Sequence, residues 1–264
     1  MLREGIAEEI IAWMQRRVEE RDCEGAVVGL SGGIDSSTTA VLTKKAFGDN
    51  CLGVMLPASG TVSKDMEYSQ MLAEKFDINT ITLNMGEVND QLEETFHSLD
   101  IEKVDRGCYP QTAIDTPDCA EQNIKTRMRM MALYYIAECK NYVVMGTNNK
   151  SEVISGYFTK YGDGGTDMRP LGDLLKTEVW ELAGRLGVPQ EIIDRPPTGG
   201  LQGGEEGATD AEEFGVDYET FDEIYLALEN GEDLSQYDIN KVNRVVEILA
   251  TAKNKSKVPV FSTE

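Results

Sequence analysis

The 264-residue chain carries 47 Asp plus Glu against 25 Lys plus Arg, a net charge of −22, and 41% of its residues are apolar. Such a chain can bury a full core, while its charge opposes binding to nucleic acid or anionic lipid. No apolar run approaches the roughly 20 residues of a membrane span, and residues 1–9 lack the apolar stretch of a secretion signal, so a cytoplasmic protein with no membrane partner is expected.

In chain order, Ile6, Ile10, Ile11, Met14 and Val18 recur at helical spacing and predict an amphipathic helix over 6–18. The β-branched run 26–30 predicts a strand buried on both faces, followed by a glycine loop, a helix over 36–47 stopped by Gly48, and a second buried strand over 51–56. A helix over 64–76, a strand over 78–83, a helix over 87–99 and a strand over 142–145 continue the alternation. The expected fold class is therefore α/β, a doubly wound parallel sheet with helices on both faces, whose ligands collect at the carboxyl ends of the strands. Residues 195–207 are rich in Gly and Pro, which predicts a mobile lid over about 195–215. The acidic run 205–223 reads as a solvated surface, and helices over 218–229 and 239–252 precede a basic tail. Five cysteines form no CxxC pair, so reduced thiols are expected.

Gly29-Leu30-Ser31-Gly32-Gly33-Ile34-Asp35-Ser36 lies where a buried strand gives way to a helix. Glycines there let backbone N–H groups approach phosphate oxygens, and the helix N-terminus favours the anion further. No Lys follows the glycines, so this is not the loop of kinases and GTPases. The same residues satisfy GxSxG, the nucleophile elbow of α/β-hydrolases, but the one histidine, His97, falls on a predicted helix rather than a late loop.

Gly146-Thr147-Asn148-Asn149-Lys150-Ser151-Glu152 follows the strand over 142–145. Glu152 together with Asp35 would give two hard oxygen ligands for Mg²⁺ shared with substrate phosphates; standing alone, Glu152 also reads as a surface residue early in a helix. Residues 156–167, Gly-Tyr-Phe-Thr-Lys-Tyr-Gly-Asp-Gly-Gly-Thr-Asp, place an ammonium and two carboxylates among aromatic rings. Asp163, three residues after Lys160, reads either as a turn Asp or as a catalytic group that holds ammonium and accepts its proton.

The order Ser-Gly-Gly-Ile-Asp-Ser resembles the signature of the ATP pyrophosphatases, which split ATP between the α- and β-phosphates, and the segment 156–165 is similar almost letter for letter to the NAD synthetases. This resemblance runs from about 29 to 259. It implies an adenine nucleotide alpha hydrolase-like fold in one domain: a core over about 25–190, the lid, and C-terminal helices with a tail over 216–264. It implies ATP and Mg²⁺ with deamido-NAD and ammonia, a homodimer, and an ATP site of Gly29, Leu30, Ser31, Gly32, Gly33, Ile34, Asp35, Ser36, Thr147, Lys176 and Thr198. Asp35 and Glu152 fall on the family's metal ligands, and Arg127, Lys160, Asp167 and the tail pair Asn254 and Lys255 on its deamido-NAD contacts. Catalysis is expected of Asp163, Lys160 and Lys176. Asn254 stands where the family usually has His. Free ammonia is the expected donor, because the glutamine-using members carry a large amidase domain. Two other readings stay open at this point: another ATP pyrophosphatase, of the GMP synthetase or tRNA-modifying type, and a nucleotide sensor.

Overall fold

The computed structural model describes residues 2–58, 61, 63–99, 119–197, 210–252 and 255. Its first half alternates helix and strand: α1 (Ile6–Glu19), β1 (Gly25–Gly29), α2 (Ile34–Phe47), β2 (Cys51–Met55), α3 (Ser63–Phe76), β3 (Asn79–Thr82), α4 (Gly86–His97), α5 (Cys119–Lys140) and β4 (Tyr142–Met145). All strand pairs are parallel, in the order β3-β2-β1-β4, with Val27 of β1 facing Leu52 on one side and Val144 on the other. A parallel sheet needs both faces covered. Accordingly Ala26 and Val28 pack with α1, α2 and α3 in one core, while Val27, Leu52 and Val144 pack with α4 and α5 in another. Each Val or Leu among them withdrawn from water contributes about 1.5–3 kcal/mol.

The chain leaves β2 for β3 on one side of β1 and returns to β4 on the other, so the crevice between β1 and β4 is the switch point where ligands gather in such sheets. Residues 167 and 168 extend this edge: Asp167 N donates to Val144 O at 3.0 Å, and Gly146 N donates to Met168 O at 2.7 Å.

The second half is helical: α6 (Lys150–Ser155), α7 (Lys176–Leu186), α8 (Gln190–Ile193), α9 (Asp210–Phe214), α10 (Tyr218–Asn230) and α11 (Ile239–Ala252). The last three build a third core of Phe214, Phe221, Ile224, Val245 and Ile248, which also takes in Tyr157 and Trp180. Among the described residues, no helix is long and apolar enough to cross a membrane.

Several expectations need correction. The helix after the glycine loop starts at Ile34 rather than 36, which puts Asp35 in its first turn. The helix α7 was not expected, although Val179, Leu182 and Ala183 give it a buried apolar face. The predicted lid ends in regular structure, α9, packed on α10; its residues 198–209, with Thr198, lie outside the described residues, as does Asn254. Nor is the acidic run uniformly solvated, since Asp210 is 4% and Asp222 is 1% exposed.

Candidate active site

The loop after β1 is held by its own side chains. Ser31 Oγ donates to Ser36 Oγ at 2.9 Å, Ser36 Oγ donates to Gly33 O at 2.9 Å, and Gly33 N donates to Ser31 Oγ at 3.3 Å. Gly32 has φ +75°, and a Cβ there would lie 2.5 Å from Asp65 O at the start of α3, so the turn requires glycine on two counts. The result is a concave backbone feeding the N-terminus of α2, which suits phosphate oxygens. Ser31 is committed to Ser36, whereas His97 pairs with Glu121 on α5 at 2.9 Å. A hydrolase triad through Ser31 and His97 is therefore not formed.

The loop after β4 meets this one. Asn149 caps α6: its Oδ1 accepts from Glu152 N at 3.0 Å while Glu152 Oε2 accepts from Asn149 N at 3.0 Å. The same Asn149 donates from Nδ2 to Asp35 Oδ1 at 2.8 Å, and Lys176 Nζ, from the first turn of α7, forms an ion pair with Asp35 Oδ2. Asp35, Glu152 and Lys176, predicted from residues far apart in the chain, thus converge at the crevice. Burial and then the negative charge of Asp35 push the Glu152 carboxyl well above the ordinary carboxylate range. Burial pulls the Lys176 ammonium down, but Asp35 and Glu152 more than reverse this, so the lysine stays charged. Its Nζ also lies 5.2 Å from the Tyr218 ring centre.

Two half-buried hard carboxylates beside a fixed ammonium match the way Mg²⁺ is usually held, by one or two carboxylates together with substrate phosphates. Among the described residues no group of three metal-binding side chains occurs.

The segment 156–167 closes one wall. Thr159 N donates to Asp163 Oδ1 at 2.7 Å and Asn148 Nδ2 donates to Asp163 Oδ2 at 2.8 Å, so Asp163 ties this segment to the loop after β4. Burial raises its pKa against those bonds and the charge of Lys255. Arg127 Nε donates to Lys160 O at 3.2 Å, which sets the two residues side by side. Lys255 is 4% exposed; its Nζ donates to Gly156 O at 2.6 Å and sits 5.0 Å over the Phe158 ring. Burial lowers its pKa to about 8. Asp167 spends Oδ2 on Val144 N at 2.8 Å and so staples the sheet edge. Thr147 stands in the loop after β4, half-buried.

Other residues of the site escaped sequence reasoning. Asn149 sits three places before Glu152, a capping-box spacing that was legible. Asp210 was not, because it lies within an acidic run; it accepts from Tyr218 Oη at 3.2 Å and faces Tyr157 Oη at 3.1 Å, and burial raises its pKa to about 6.

The model of the NAD synthase family matches residues 6–259. The NH₃-dependent NAD⁺ synthetase of Syntrophomonas wolfei is 41% identical over 97% of this chain and 94% of its own. Among solved structures, the NMN synthetase of Francisella tularensis superposes with a TM-score of 0.84 at 29% identity, covering 99% of this chain and 98% of that one. The NH₃-dependent NAD synthetase of Campylobacter jejuni, in complex with the nitrate ion, superposes with a TM-score of 0.79 at 25% identity, covering 99% and 100%. With the glycine loop, the paired carboxylates and the fold in agreement, this chain belongs to the NAD synthase family.

Proposed function

We propose that the chain is an ammonia-dependent ligase that amidates the nicotinate carboxylate of deamido-NAD at the expense of ATP, releasing NAD, AMP and pyrophosphate. The convergence of Asp35, Glu152 and Lys176 on the glycine loop, beside the segment 156–167, is the observation that carries this reading. A carboxylate does not react with ammonia unaided, because oxide is a poor leaving group. Attack of a carboxylate oxygen on the ATP α-phosphorus expels pyrophosphate and leaves an acyl adenylate. Ammonia then attacks the acyl carbon, and AMP departs with the former carboxylate oxygen.

In this scheme the 29–36 loop seats the phosphates with Thr147 and Thr198, and Lys176 neutralises charge as pyrophosphate leaves. Asp35 and Glu152 would hold Mg²⁺, whose charge assists the same departure. Arg127, Lys160, Asp167, Asn254 and Lys255 orient deamido-NAD. Asp163 holds the ammonium ion at the acyl carbon and takes up its proton. Thr198 and Asn254 rest on the family resemblance alone. The enzyme acts in the cytoplasm as a homodimer. The pairing is supported by Val88 and Phe96 of α4 with Met131 and Tyr135 of α5, apolar side chains left 46–70% exposed.

A second acceptor is suggested by the Francisella neighbour, named for NMN synthesis: nicotinate mononucleotide, which is deamido-NAD without its adenylyl half. The test incubates the protein with ATP, Mg²⁺, either acceptor, and either ammonium or glutamine. NAD formed from deamido-NAD and ammonium, with little product from glutamine, supports the proposal. Faster turnover of nicotinate mononucleotide would reassign the acceptor, and product from glutamine alone would overturn the donor.

A further inference from the structure

The helix α7 carries Lys176 at its first position, yet its N-cap residue is Leu175, whose side chain has no oxygen to receive the first-turn N–H groups. Other elements supply the acceptors. Lys176 N donates to Ser151 Oγ of α6 at 2.9 Å. Thr177 N and Thr177 Oγ1 both donate to Asp222 Oδ2 of α10, at 3.0 and 2.9 Å. The circuit closes when Ser151 Oγ donates to Asp222 Oδ1 at 2.5 Å. Ser151, Lys176 and Asp222 are all 2% exposed or less.

One carboxylate therefore caps α7 from outside and fixes α6 in the same act. The residues it grips are the immediate chain neighbours of the two that matter: Ser151 precedes Glu152, and Thr177 follows Lys176. Three donors face Asp222 in the described network and none of its contacts there needs a donor from it, which is work for a carboxylate rather than an amide. Burial raises the Asp222 pKa, and the bonds from Ser151 and Thr177 oppose that rise.

We propose that Asp222 is a positioning residue that sets Glu152 and Lys176 in register with each other and with Asp35. The proposal rests on the reading above, in which those two residues serve ATP. An amide at this place would aim its NH₂ at the Ser151 hydroxyl and strand a buried donor, so α6 and α7 would shift relative to one another. Displacement by about 1 Å is enough to cost up to about 10²-fold in rate.

The experiment compares wild type with Asp222→Asn and with the milder Thr177→Val, which keeps the backbone N–H and removes one bond. Three quantities are measured on protein that circular dichroism and gel filtration show to be folded: Mg·ATP affinity by calorimetry, kcat, and KM for deamido-NAD. The expected result for Asp222→Asn is a loss of about tenfold or more in both Mg·ATP affinity and kcat, with KM for deamido-NAD within about twofold. Thr177→Val should show the same pattern at about threefold. Unchanged Mg·ATP affinity and kcat in folded variants, with only a lower melting temperature, would overturn the proposal and leave Asp222 a stabilising residue. If Asp222→Asn does not fold, Thr177→Val decides by the same criterion. Should wild type bind Mg·ATP yet make no amide, the functional reading fails, while Asp222 is still judged by the binding data.

Discussion

Asp163 holds a loop together and, in the proposed scheme, also takes up the proton of ammonium. Its two oxygens accept from Thr159 N and Asn148 Nδ2, yet Asn148 Oδ1 itself is buried without a hydrogen-bond partner. Rotating the Asn148 amide by half a turn would present that oxygen to an Asn at 163, so Asp163→Asn can keep the loop closed while it loses the charge. We expect pyrophosphate release to continue in this variant at neutral pH and NAD formation to fall about 10²-fold or more, the usual worth of a general base. Raising the pH from 7 towards 9 converts ammonium to ammonia and should restore part of the loss. Unchanged NAD formation at pH 7 would reduce Asp163 to a turn residue. At this scale the sequence was informative wherever a motif fixes a residue's neighbours, as for Asp35 and Ser36. It was silent on the bond of Asn149 to Asp35, 114 positions away, on Asp222, whose partners Ser151 and Thr177 lie 71 and 45 positions away, and on Asp210, whose burial an acidic run hides.

Among the elements, the strands were legible because a parallel sheet buried on both faces demands continuous apolar runs, and 51–55 and 142–145 are such runs. The helix α7 escaped because a glycine-rich stretch precedes it, although Val179, Leu182, Ala183 and Leu186 lie at helical spacing. The short helix α9 escaped for another reason: it is held by tertiary contacts, with Asp210 reached by Tyr157 and Tyr218 and Asp210 N donating to Pro197 O at 3.0 Å. Folding withdraws Asp210 from water and raises its pKa from 3.8 to about 6. The folded protein then holds this proton up to about pH 6, whereas the unfolded chain releases it near 3.8, so stability from this group falls as pH rises through that window. Asp210→Asn removes the dependence. Between pH 4 and 7 its stability relative to wild type should climb by on the order of 2–3 kcal/mol, read from urea melts. A difference that stays constant with pH would show that Asp210 is not the buried proton holder.

For the whole molecule, the net charge of −22 opposes binding to nucleic acid and to anionic lipid. What composition and periodicity do not carry is strand order. Placing β4 against β1 rather than at the far edge beside β3 is what brings the 29–36 loop to the 146–152 loop, and no local pattern encodes that choice. The bond from Asn149 to Asp35, 114 positions apart, is its consequence.

The central claim, that ATP activates a carboxylate by adenylation before ammonia attacks, is tested most directly by following oxygen. Deamido-NAD labelled with ¹⁸O in its nicotinate carboxylate is turned over with ATP, Mg²⁺ and ammonium, and the products are weighed by mass spectrometry. Attack of the carboxylate on the α-phosphorus predicts one ¹⁸O in each AMP and none in pyrophosphate. Label in inorganic phosphate alongside ADP would contradict the account.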